Sequence, residues 1–205
     1  MAEDNDPTKK FLDATQRYQT RLQHLWKTVF KKVASYLKSL VAFITKVTKA
    51  AAKLAMTVGK AVVDKVMAAG KLVEQLISKI PQLIKAAMKL GRKIIDLIKK
   101  ASDPNKIIGT LKKLFTRYVK MLREIFGEIA QLVKQLDVMG TLLGIVNSFK
   151  KVLQLVFAWI ADVTKANDAV IRAKRMLQKA IKEMKKEVKE AEKLRKEVMK
   201  LKVAA

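Results

Sequence analysis

The chain has 205 residues, of which 50% are hydrophobic and 30% charged, a balance that excludes a disordered chain and supplies enough apolar surface for a real core. Lys and Arg number 44 against 18 Asp and Glu, a net charge of +26, whereas solubility asks for only about 2–8 in a small domain. An excess of that size implies a polyanion: nucleic acid, an anionic membrane or a strongly acidic protein. Cysteine is absent, which excludes disulfides, thiol chemistry and cysteine-ligated zinc.

The start, Met-Ala-Glu-Asp-Asn-Asp, is acidic and polar. It has neither the basic, apolar layout of a signal peptide nor the Arg-rich layout of a transit peptide. Residues 1–6 are expected to be a disordered acidic lead, and the protein to reside in the cytoplasm or inside an assembled particle.

Asp6-Pro7 is the first helix start signal, an N-cap residue followed by a proline tolerated in the first turn. Apolar residues then recur at Phe11, Tyr18, Leu22, Leu25, Val29, Val33, Tyr36, Leu40, Phe43 and Val47. Their mean spacing is closer to 3.6 than to 3.5, which predicts a fairly straight helix rather than a left-handed supercoil. Unbroken, about 40 such residues would span about 60 Å. The Ala- and Gly-rich stretch 48–80 also reads as helix, with a break at Gly59 or Gly70. Pro81 is expected to open a new helix running to Lys100. Ser102-Asp103-Pro104-Asn105 is the clearest break, with Asp103 as cap.

Ile107, Leu111, Leu114, Tyr118, Leu122, Ile125, Ile129, Leu132 and Leu136 form the next apolar stripe. Gly140 and Gly144 predict a turn, and an apolar helix is expected from about 145 to Val163. Asn167-Asp168 is expected to cap a final Lys/Glu-rich helix, with Leu177, Ile181, Met184, Val188, Ala191, Leu194, Val198 and Leu201 on one side. Spacing drifts at Val188, which argues against a clean heptad. The fold class is therefore all-α: an elongated bundle of long amphipathic helices with a Lys/Glu-rich C-terminal helix. In segments, a basic helical region covers 7–101, an apolar hairpin 102–166 and the charged helix 167–205, together forming one continuous domain. The most apolar stretch, 138–161, has Lys150 and Lys151 near its centre. Each would cost about 2.5–3.5 kcal/mol in a bilayer, so a core helix is the better reading.

Catalytic chemistry finds little support. His24 is the only histidine and has no carboxylate neighbour along its helix. Glu124 and Glu128 share a face, but Lys120 and Arg123 flank them, as in a solvated ion-pair patch. Gly140-Thr-Leu-Leu-Gly144 lacks the lysine and strand of a phosphate loop. No metal, cofactor or enzymatic activity is expected.

Positive charge is better organised. No acidic residue occurs between Asp13 and Asp64, while Arg17, Arg21, Lys27, Lys31, Lys38, Lys46, Lys49, Lys53 and Lys60 fall in that interval. Lys46, Lys49, Lys53 and Lys60 share one helical face, and Lys113, Arg117 and Lys120 make a shorter stripe. Lysine far exceeds arginine, which suits point-charge contact with phosphate over base reading. Aromatics are few and lie on apolar stripes, so base stacking is poorly supported. The first expectation is a structural protein that binds nucleic-acid phosphate backbone without sequence preference, as in packaging, a coat or a nucleoid. The alternative is an anionic membrane met by cationic amphipathic helices. Self-assembly into a homo-oligomer through the last helix is compatible with both.

Overall fold

The computed structural model describes residues 6–49, 59–148 and 161–201. Four long helical stretches pack against each other, and among the described residues there is no strand. The first comprises α1 (Pro7–His24), a π-helical turn (Leu25–Phe30) and α2 (Lys31–Lys49). The others are α3 (Lys60–Lys100), α4 (Pro104–Ser148) and α5 (Ala161–Lys200). The protein is an all-α helical bundle.

Two helix starts follow directly from local chemistry. The Asp6 carboxylate accepts from the Thr8 N–H at 2.9 Å, with Pro7 in the first turn. Asp103 does the same for Asn105 at 3.0 Å, with Pro104 opening α4. In each case a side-chain oxygen satisfies a backbone donor that the helix itself leaves unpaired. Gly59 resolves the choice between the two glycine breaks. Its φ of +96° is left-handed backbone that glycine adopts without a Cβ clash, and α3 begins at the next residue. Gly70 lies inside α3.

The core is organised on a seven-residue repeat. In α4 the buried Leu111, Phe115, Tyr118, Leu122, Ile125, Ile129, Leu132, Leu136, Met139 and Leu143 alternate steps of four and three without a slip, with Val119 and Gln135 buried beside this line. In α5, Val170, Ala173, Leu177, Ala180, Met184, Glu187 and Ala191 follow the same alternation. Small alanines there let neighbouring helices come close. This corrects the expected drift in α5: the buried seam passes through Glu187, a polar residue, and Val188 sits half-buried beside it.

The first helical stretch uses the same repeat with one interruption. Phe11, Tyr18, Leu22 and Leu25 are buried, and after the π turn Phe30, Val33, Leu37 and Leu40 take over. The step from Leu25 to Phe30 is five residues, so Val29 and Tyr36 are only half-buried. A π turn accommodates one extra residue. The apparent 3.6-residue spacing is thus a seven-residue repeat with an insertion, not an uninterrupted straight-helix pattern.

Three expected breaks are absent because burial outweighs local propensity. Pro81 lies inside α3 rather than at the start of a helix. An interior proline costs about 3 kcal/mol. Ile80 and Ile84 are fully buried on either side of it, and a buried Ile contributes about 1.5–3 kcal/mol. Gly140 and Gly144 lie inside α4, not in a turn, on a stretch where Met139 and Leu143 are buried. Asn167 and Asp168 do not cap α5, which already includes Ala161; Ala166, Ala169 and Val170 are buried around them. The expected apolar helix 145–163 falls largely on residues outside those described. No helix among the described residues is long and apolar enough to cross a membrane.

The chain forms two compact units. Unit 1 gathers Met1–Lys27, Ile80–Gly127 and Ile181–Ala205; unit 2 gathers Thr28–Lys79 and Glu128–Ala180. In unit 1 the ring centroids of Phe11 and Phe115 are 5.4 Å apart, and those of Tyr18 and Tyr118 are 6.3 Å apart. Gln19 is buried among these aromatics, and its Nε2 donates to the Met88 carbonyl at 2.6 Å. That reach requires Gly91: a Cβ there would stand 2.1 Å from Gln19 Nε2 and 3.1 Å from the Tyr118 hydroxyl oxygen. Burial pushes the Tyr18 phenol up to about 12, against the opposing pull of Arg17. Burial likewise raises Tyr118.

Replacing Gly91 by Ala should lower the thermal midpoint, although alanine favours a helix over glycine by about 1 kcal/mol. The same replacement in a Gln19→Ala background should raise it. Equal shifts in the two backgrounds, measured by circular dichroism melting, would mean that the notch at Gly91 is not what accommodates Gln19.

Candidate functional site

The residues expected to meet a polyanion separate into distinct environments. Arg17 and Arg21 are turned to internal use. Arg17 Nη2 donates to Glu190 at 2.6 Å and its Nε to Glu187 at 3.3 Å. Arg21 lies 3.5 Å from Glu187 and 3.8 Å from Glu183. These pairs join α1 to α5 within unit 1. Although burial opposes it, Glu187 and then Glu190 hold the Arg17 guanidinium above its already high ordinary value. Arg17 also lies over the Tyr18 ring, 5.4 Å from its centroid. Glu187 is 8% exposed and occupies a core position of α5. Two arginines therefore compensate one carboxylate that the seam would otherwise bury without a partner.

Lys27, Lys31, Lys38, Lys60, Lys113, Arg117 and Lys120 are exposed, and none enters an ion pair among the described residues. Lys113, Arg117 and Lys120 share one outer face of α4 in unit 1. Lys31 and Lys38, two turns apart, share one face of α2 in unit 2. Lys46 and Lys49 belong to α2, but their side chains lie outside the described residues, as does the whole of Lys53. The proposed face of Lys46, Lys49, Lys53 and Lys60 is therefore represented by Lys60 alone.

A longer cationic face went unnoticed in the sequence. On α5, Lys182, Lys186, Lys189, Lys193, Lys196 and Lys200 are all exposed and follow alternating steps of four and three. They repeat at the same period as the buried seam, so they keep a constant angle to it. The acidic residues of this stretch lie elsewhere. Glu187 is in the seam, Glu183 and Glu190 flank it towards α1, exposed Glu197 repeats their position seven residues on, and Glu192 pairs with Arg123 of α4. None of the six lysines enters an ion pair among the described residues. Like charges three or four apart on a helix each cost about 0.2–0.5 kcal/mol. Successive lysines here form five such pairs. In unit 2, Lys165, Arg172, Arg175 and Lys179 lie on the outer face of α5 in the same way, with Asp168 the acidic residue on that face. The signal was present as a seven-residue lysine period, hidden by the Glu residues interspersed in the linear sequence.

Other chemistry-bearing candidates are structural. Glu128 pairs with Lys79, and Lys174 with Asp137, each within unit 2. Lys112 donates to the Leu201 carbonyl, capping the end of α5 in unit 1. Trp26 lies under the Lys85 ammonium, 5.9 Å from the ring centroid. His24 is exposed. No group of three or more metal-binding side chains occurs among the described residues. An open cleft of about 320 Å³ in unit 1 has Asp13, Glu190 and Glu197 alongside Arg17 and Lys193, so its walls mix both signs. Comparison with family models, curated proteins and solved structures finds no match.

Arg17→Ala should lower the urea midpoint by an amount equivalent to about 1–3 kcal/mol, because Glu187 loses its shorter partner while the half-exposed Arg17 contributes less than a fully buried ion would. Glu187→Leu, which completes the apolar seam, should be neutral or stabilising. A large loss from Glu187→Leu in equilibrium unfolding would show that the clamp, rather than the seam, holds α5 in place.

Proposed function

We propose that this is a structural, non-enzymatic protein that binds the phosphate backbone of nucleic acid without sequence preference, in a packaging, coat or nucleoid role. The supporting observation is the division of labour among the cations. Arg17, Arg21 and Arg123 are engaged by glutamates of α5. Lys182, Lys186, Lys189, Lys193, Lys196 and Lys200 of α5, Lys31 and Lys38 of α2, and Lys113 and Lys120 of α4 stand exposed and outside the ion pairs found among the described residues. Lysine binds phosphate as a strongly hydrated point charge, which suits backbone contact without base recognition. The membrane alternative needs apolar helix faces to insert beside the lysines. Here those faces are the buried seams of the bundle, which favours the nucleic-acid reading.

Unrelated DNA and RNA duplexes should be bound alike in a gel-shift or anisotropy titration. The logarithm of the binding constant should fall linearly with the logarithm of salt, by about 0.9 per phosphate neutralised. Absence of binding to any nucleic acid at low salt, or strong preference for one sequence, would contradict the reading.

A further inference from the structure

We infer that the principal docking face for nucleic-acid backbone is the outer face of α5 in unit 1, formed by Lys182, Lys186, Lys189, Lys193, Lys196 and Lys200. The inference rests on the nucleic-acid reading above and assigns its site. The six lysines extend over about 27 Å of helix, one every 5 Å or so, at 1.5 Å rise per residue. Each is exposed and unpaired among the described residues. No acidic residue occupies a position of the row itself; the glutamates of this stretch hold the seam and neighbouring positions, with exposed Glu197 beside the end of the row.

The occupant is a linear polyanion of regular charge spacing. Duplex nucleic acid carries one charge per 1.7 Å or so of axis, which supplies phosphates along the entire row. A membrane is a poorer match, since an interfacial helix must insert an apolar face. Met184, Ala191 and Val198 of this helix are buried in the bundle. Met199, at one end, is the large apolar side chain exposed on this stretch. Arg17 and Arg21 engage Glu183, Glu187 and Glu190 on the flank of the seam, so these glutamates are already matched by cations other than the lysine row.

The test uses the full chain and a 30-base-pair duplex of arbitrary sequence, with binding followed by anisotropy across a salt series. One variant replaces all six lysines by Gln. A charge-matched control replaces Lys31, Lys32, Lys38, Lys60, Lys65 and Lys71 by Gln, removing the same charge from unit 2. The row variant should lose at least 100-fold in affinity at moderate salt and about three or more in salt slope, reflecting lost phosphate contacts at about 0.9 each. The control should lose clearly less. Replacing the six by Arg should retain binding. Circular dichroism confirms helicity, and the double variant Lys186→Glu/Lys189→Glu, expected to lose at least tenfold, serves if the six-fold variant does not fold.

Equal losses from row and control would overturn this site while leaving nucleic-acid binding in place. Failure of the unaltered protein to bind the duplex would overturn the functional reading itself. So would binding to phosphatidylglycerol vesicles in place of the duplex.

Discussion

A helix that must keep one strip buried along forty residues cannot place its apolar residues at will. At 3.6 residues per turn, the strip is held against its neighbours by a repeat of seven residues in two turns. That requirement organises this molecule. It sets the unbroken alternation of Leu111 through Leu143 in α4 and of Val170 through Ala191 in α5. It explains the π turn at Leu25–Phe30, which absorbs the one residue by which the first helical stretch departs from the repeat. It also overrides local signals: Pro81, Gly140 and Gly144 sit inside helices whose flanking residues are buried.

The same repeat sorts the charges. A residue seven positions further on returns to nearly the same angle, so on α5 the lysines Lys182, Lys186, Lys189, Lys193, Lys196 and Lys200 keep one face and Glu183, Glu190 and Glu197 another. Glutamates at the seam and its flanks meet arginines of neighbouring helices, as in the Arg17 and Arg21 pairs with Glu183, Glu187 and Glu190 and the Arg123–Glu192 pair. The six lysines of the outer row of α5 lie outside the ion pairs found among the described residues. A chain whose net charge is +26 thereby holds itself together with its few acidic residues and presents much of the excess outward. This connects the packing to the proposed function: the polyanion neutralises what the interior arrangement leaves unopposed.

The helical class was legible in the sequence because it rests on periodic burial, and so were the two caps at Asp6 and Asp103, which rest on chemistry confined to three or four residues. The false breaks at Pro81, Gly140 and Asn167-Asp168 arose from the opposite limitation. Propensity is local, while the burial that defeats it comes from other helices. For the candidate site, the exposed Lys113, Arg117 and Lys120 were readable as a stripe. The internal role of Arg17 and Arg21 was not, since Glu183, Glu187 and Glu190 stand more than 160 residues away in the chain. The α5 row was readable in principle. Its period emerges once Glu187 is recognised as a core position, and a glutamate is the residue least expected there.

The account is tested most directly by lysine footprinting. The protein would be acetylated with an amine-reactive reagent, free and saturated with duplex nucleic acid, and the modification of each lysine read by mass spectrometry. Protection concentrated at Lys182, Lys186, Lys189, Lys193, Lys196 and Lys200, and lost on raising the salt, is the predicted result. Protection spread evenly over all exposed lysines, or confined to Lys31, Lys38 and Lys60 with the α5 row still reactive, would contradict it.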